Sequence, residues 1–148
     1  MRAGLSGFLR QVSRATAMLM PPPLCRPLRA ARAELSRGLH LAFQLASIHH
    51  RVVVVEPFRR AAKGRISVHL PEGVCWGRPA AVPLPPDLLG SGWKGGRPRP
   101  ITVMPQYRAS ANVWFLHHGR ETLCLHLHGS GTVELLRYRP LLGAWVDC

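Results

Sequence analysis

Leu123, Leu125 and Leu127 alternate with Cys124, His126 and His128 in one unbroken run, and this run restricts the fold more than any other feature of the chain. A period of two puts the leucines on one face of an extended strand and the cysteine and histidines on the other, as in a strand laid against a core. The run is the middle of three apolar segments within residues 107–138. The first covers 111–116, carries Val113, Trp114, Phe115 and Leu116, and stops at His118-Gly119. The third covers 132–138, carries Val133, Leu135 and Leu136, and follows Gly129-Ser130-Gly131. Glycine supplies the positive φ of a tight turn, so the spacing predicts a β-meander around which the rest of the chain is organised.

Upstream, residues 36–48 open with Ser36-Arg37-Gly38-Leu39-His40-Leu41 and continue through Phe43, Leu45 and Ile48; Val52 to Val55 is a β-branched run closed by Pro57. Both read as strands. In residues 64–70, Ile66, Val68 and Leu70 alternate inward, and Pro71-Glu72-Gly73 makes a turn. Residues 77–100 hold six prolines and four glycines among Gly77, Pro79, Pro83, Pro85, Pro86, Gly90, Gly92, Gly95, Gly96, Pro98 and Pro100 after the opening glycine, which argues for irregular backbone. Within them Leu84 to Leu89 fits a helical turn or a docking peptide. A short strand, residues 101–104, leads to Tyr107. Short alternating strands between glycine and proline turns predict an all-β sandwich or barrel.

A chain of 148 residues is one domain. Twenty basic against 7 acidic residues give a net charge of +13, nearly all of it arginine. Nucleic acid, a phosphorylated ligand, an acidic protein or an anionic membrane would each answer that excess, and charge alone does not choose among them. Cys25, Cys75, Cys124 and Cys148 form no CxxC pair or framework and read as free thiols in a reducing compartment. His49-His50 and His117-His118 point alternately, whereas His126 and His128 share a face; two more ligands would be needed for a tetrahedral site, so these histidines are expected on a solvated or interfacial strand face without metal. Residues 1–35 form a basic extension with Leu5, Phe8, Leu9 and Val12 at helical spacing, interrupted by Pro21-Pro22-Pro23. Its composition fits an organelle transit peptide and a flexible arm making nonspecific nucleic-acid contact equally well. No apolar run approaches the ~20 residues of a membrane span.

Two segments carry a family resemblance. Leu70-Pro71-Glu72-Gly73 followed by Trp76, Gly77 and Arg78 is similar to the LPEGYYGR segment of dUTPases, with one residue more between the glycines. Tyr107-Arg108, Val113 to Leu116, Gly119, the alternating strand and Gly129 to Leu135 resemble the carboxy-terminal half of that family, the last turn one residue late. Ser36 to Leu41 is similar, more weakly, to its SAGYDL motif. The resemblance spans residues 36–141, with residues 142–148 a short tail. It implies a small dUTPase-type, jelly-roll-like β-barrel that assembles as a homotrimer.

The same resemblance implies a lost activity. Hydrolysis of dUTP needs a carboxylate base and acids that hold Mg²⁺, and the only aspartates are Asp87 and Asp147. Met104 stands where the base belongs, His40 where the first motif has aspartate, Val82 and Pro83 where the second has Arg-Ser, and Glu134 where the fourth has glutamine. Tyr107, whose ring in the family packs under the deoxyribose, is retained. Tyr107, Arg108, Arg78, Glu134, His40 and Met104 are therefore a degenerate nucleotide pocket, without catalytic residues or cofactor. Inactive members of this superfamily include the early-region-four, first-reading-frame proteins of adenoviruses, which recruit signalling and PDZ-domain proteins. By that likeness the chain is expected to be a viral accessory protein binding host proteins in cytoplasm or nucleus. Leu84, Leu88 and the termini are its candidate contacts, although Val146 and Cys148 depart from the usual PDZ-ligand ending. The alternative is a nucleotide-binding or weakly active dUTP diphosphatase.

Overall fold

The computed structural model describes residues 23–58, 64–93 and 97–148; the helix expected around Leu5 to Val12 lies outside them. Among the described residues, nine strands form two sheets, accompanied by one α-helix. The strands are β1 (Val53–Glu56), β2 (Arg65–Ser67), β3 (Cys75–Trp76), β4 (Ile101–Met104), β5 (Arg108–Ala109), β6 (Asn112–His118), β7 (Glu121–Leu127), β8 (Val133–Arg139) and β9 (Ala144–Asp147). The first sheet has the order β2-β1-β4-β5 and the second β3-β6-β7-β8-β9. The chain is thus mostly β, but the sheets do not close into the expected barrel.

The meander forms as its alternation requires. β6 pairs antiparallel with β7 from Asn112↔Leu127 to His118↔Glu121, and β7 with β8 from Thr122↔Tyr138 to Leu127↔Val133. The strands expected at 52–55, 64–70 and 101–104 are β1, β2 and β4. At the turn after β2, Val74 N–H donates to Pro71 C=O at 3.2 Å and Gly73 takes φ +85.

Helix α1, Arg26–His49, corrects the strand expected across 36–48. Leu39, Leu41, Phe43 and Leu45 fit a period of two, but Leu28, Ala31, Leu35, Leu39, Ala42, Phe43 and Ala46 form the buried stripe of a 3.6-residue period. Pro27 lies in the first turn, where a missing N–H costs nothing, and His50 closes the helix in the left-handed region at φ 48. Both expected domain boundaries fall within ordered structure. The one at 35/36 lies inside α1, and the tail after 141 contains β9, paired with β8.

The main core lies where α1 meets both sheets. Leu28, Leu35 and Ala42 from the helix meet Val53, Val55, Ile101 and Val103 of the first sheet and Trp114, Leu116, Leu123, Leu125 and Leu127 of the second. Each fully buried side chain of this size contributes about 1.5–3 kcal/mol. The opposite face of the second sheet carries a smaller cluster, in which residues 84–93 fold back so that Leu84, Leu88 and Trp93 pack with Val113, Phe115, Cys124, Leu136 and Trp145. Trp145 Nε1 donates to Pro83 C=O at 2.9 Å and holds this flap to β9. Among the described residues, no helix is long and apolar enough to cross a membrane.

Candidate functional site

The α1 stripe does not fully cover the inner face of β7 and β8. A cavity of about 290 Å³ remains between them, lined by Ser36, Leu39, His40 and Phe43 of the helix, Tyr107, Leu125, Gly131, Val133 and Leu135. Tyr107 sits in the turn from β4 to β5, where Gln106 and Tyr107 take φ 67 and 57. Two successive non-glycine residues in the left-handed region cost about 1 kcal/mol or more each, so the surrounding packing must hold them there. The Tyr107 ring stacks on Phe43 with centroids 6.0 Å apart and planes 16° apart, yet the residue remains 62% exposed. Its carbonyl oxygen is pressed against Gly131, where a Cβ would overlap it.

Segments named in the sequence converge here unevenly. The helix segment 36–41, the Tyr107 turn and the Gly129 to Leu135 segment meet at the cavity, so His40 and Tyr107 share it. Met104, Arg108, Arg78 and Glu134 do not line it. Met104 pairs with Arg108 across β4 and β5. The Arg78 guanidinium donates to the Val82 carbonyl in the segment before the flap, and Glu134 lies on the other face of β8. The six residues are therefore not one pocket, because the first motif is helical and turns its neighbours differently from a strand. Phe43 and Ser36 were missed, since only the helix brings them to Tyr107, and Gly131 was missed because it meets the Tyr107 carbonyl from the turn between β7 and β8.

The expected contact residues are already engaged. Leu88 is 2% exposed in the outer cluster and Leu84 packs beside it, so the docking peptide read in 84–89 docks on its own sheet. Val146 pairs with Arg137, Cys148 N–H donates to Leu135 C=O at 3.0 Å, and Arg32 Nη1 reaches Cys148 Sγ at 3.4 Å. The terminus is an edge strand of the sheet and not a free tail.

On the outer face His126 and His128 stand together, ring centroids 4.0 Å apart, and Glu134 stands opposite His126 on β8. Burial and the adjacent His128 push His126 below its usual range, while Glu134 opposes that shift. Burial pushes the Cys124 thiol up to about 12. At the far end of the sheet Cys25 N–H donates to Glu121 Oε2 at 3.0 Å, and Glu121 Oε1 lies 3.6 Å from Arg137. Burial, then Glu121, raises the Cys25 thiol, so it is no activated nucleophile.

No protein-family model, no curated protein and no solved structure matches this chain.

Proposed function

We propose that the protein is a non-enzymatic binding module whose contact site is the Tyr107 cavity, and that the segment it takes is an acidic peptide with one aromatic or leucine anchor. The observation that carries this reading is the lining itself: apolar side chains with Ser36, His40 and Tyr107, and neither a carboxylate nor a guanidinium. Water activation needs the first and a triphosphate needs the second. The volume also lies at the bottom of the ~300–1,000 Å³ range of small-molecule sites, and suits one large side chain better than a nucleotide. The acidic flank follows from charge. Glu34, Glu56, Glu121 and Glu134 are held in pairs with Arg37, Arg65, Arg137 and the two histidines, so a ligand of the surface meets an arginine excess. Arg108, the chain neighbour of Tyr107, is exposed.

The motif resemblance supports the same role at finer grain: a degenerate, dUTPase-type scaffold, assembled as a homotrimer, used by a virus to bind host proteins. With the first motif segment helical and the sheets unclosed, that descent rests on the motif resemblance alone. The test is selection of random peptides on the immobilised full chain, followed by binding to Ser36→Trp, which places an indole at the cavity mouth from an exposed helix position. Acidic, singly anchored peptides that lose binding at least tenfold on Ser36→Trp are expected. Pyrophosphate release from dUTP and Mg²⁺ by the wild-type chain would overturn the reading, and light scattering on the same sample decides the trimer.

A further inference from the structure

The outer face of β7 and β8 carries a second site, independent of the cavity. Two histidines at positions i and i+2 on a strand give two nitrogens on one face, too few to hold an ion. The hairpin register adds the third group. Counting outward from Gly129-Ser130-Gly131, His128 N–H donates to Thr132 C=O at 2.9 Å and His126 falls opposite Glu134. The donor atoms then converge: His126 Nδ1 lies 3.9 Å from Glu134 Oε2, His128 Nε2 lies 3.5 Å from Glu134 Oε1, and all three ligand atoms lie within 4.8 Å of one another. We propose that His126, His128 and Glu134 bind a zinc-class divalent cation.

The geometry favours an ion over a plain polar cluster. Zinc bonds of ~2.0–2.1 Å at tetrahedral angles put donor atoms about 3.3 Å apart; the His128–Glu134 pair at 3.5 Å is close to that spacing, and the His126–Glu134 pair at 3.9 Å, through the other carboxylate oxygen, needs a small side-chain rotation. Those distances are too long for hydrogen bonds, and His128 Nε2 is shielded from solvent without a hydrogen-bond partner. A metal would occupy the lone pair that is otherwise buried unused. Two imidazoles and one carboxylate match zinc and its first-row neighbours and not calcium or magnesium, which prefer all-oxygen shells. Both strands are held by the sheet ladder, so little ordering is needed when an ion enters. Asp87, on the flap turn Pro86–Leu88, acts electrostatically on His126, adding negative charge on the open side. A tetrahedral ion would keep a fourth position, which water or a side chain from a binding protein completes. In a chain of net charge +13 this is a local exception, and binding there ties β7 to β8.

The test is titration of the full chain, purified without a polyhistidine tag, with Zn²⁺ by calorimetry, and with Co²⁺ by visible absorption. One Zn²⁺ per chain and a tetrahedral Co²⁺ spectrum without a thiolate band are expected. Glu134→Gln and His128→Asn should each weaken binding at least tenfold while near-ultraviolet circular dichroism stays unchanged. The exposed His49-His50 pair is the control: His49→Ala with His50→Ala should leave affinity unaltered. A thiolate charge-transfer band, binding that survives Glu134→Gln and His128→Asn, or binding lost with the His49-His50 pair would each overturn the assignment.

Discussion

The two faces of β7 make the same covalent strand into two different environments. Leu123, Leu125 and Leu127 meet helix α1 and the first sheet, and the Tyr107 cavity is a gap in that contact. Cys124, one residue away, lies under a flap of irregular backbone, and His126 beyond it stands at the flap's margin among polar groups. Alternation fixes which residues share a face, but what covers a face is decided by elements distant in sequence. The inner face owes its cover to a regular helix, whose stripe repeats. The outer face owes its cover to two leucines and a tryptophan in a segment rich in proline and glycine.

Removing the indole at the centre of the inner core should separate the faces most sharply. Trp114 is fully buried, packs edge-on to Trp76 at 5.1 Å and donates Nε1 to Arg99 C=O at 2.6 Å. Trp114→Ala should cost about 3–5 kcal/mol by urea denaturation. Leu88→Ala, its counterpart under the flap, should cost about 2–3 kcal/mol, at the low end for a buried leucine because the flap can settle inward. It should also speed thiol-reagent labelling of Cys124, whereas exposed Cys75 and Cys148 label at once in either form. An equal loss at both sites without a change at Cys124 would mean that the flap does not cover the outer face.

Gly131→Ala tests the cavity wall. Its added methyl overlaps the Tyr107 carbonyl at φ +88, so a loss of about 1–3 kcal/mol is expected, together with loss of the peptide binding proposed for that wall. Gly38→Ala is the opposite case. Its Cβ would meet Val68 and Ile66 methyls at 3.6 and 3.8 Å, ordinary contact distances, within α1. It should stabilise the chain by about 0.5–1 kcal/mol, read as a rise in melting temperature.

The smallest effects near neutrality come from titration. Arg37, against the opposing effect of burial, holds the Glu34 carboxyl below its usual 4.5, aided by the His69 N–H. A depressed carboxylate pKa stabilises the fold above the unfolded value and ceases to do so as pH falls through it. Cys124, raised from 9.0 to about 12, has the other sign: its contribution is complete below 9 and declines as pH rises above that value. Denaturation midpoints measured from pH 3 to 11 should therefore fall at both ends. Glu34→Gln should flatten the acid limb and Cys124→Ser the alkaline one.

Much of the second sheet was legible because its signals are local. His118-Gly119 and Gly129 to Gly131 fix the turns, and the leucine alternation fixes the face. Helix α1 was not, because Leu39, Leu41, Phe43 and Leu45 satisfy two periods at once. The tie breaks only when Leu28, Ala31 and Leu35 are counted with them, and those residues were grouped with the basic extension. That one choice concealed the cavity, since His40 reaches Tyr107 only from a helix. Tyr107 lines the cavity, while Arg78 and Glu134, assigned by motif to the same pocket, do not. The irregular backbone of the flap was also legible; the burial of Leu88 was not, because a lone leucine turn carries no period.

The most direct measurement is a set of amide nuclear magnetic resonance spectra of the full chain, free, with dUTP and Mg²⁺, and with a selected acidic peptide. Shifts confined to the Tyr107, Gly131, Val133 and Leu135 amides on adding peptide, with none on adding nucleotide, are what a binding module at that cavity predicts. Saturable shifts at the same amides with dUTP, and none with peptide, would contradict it.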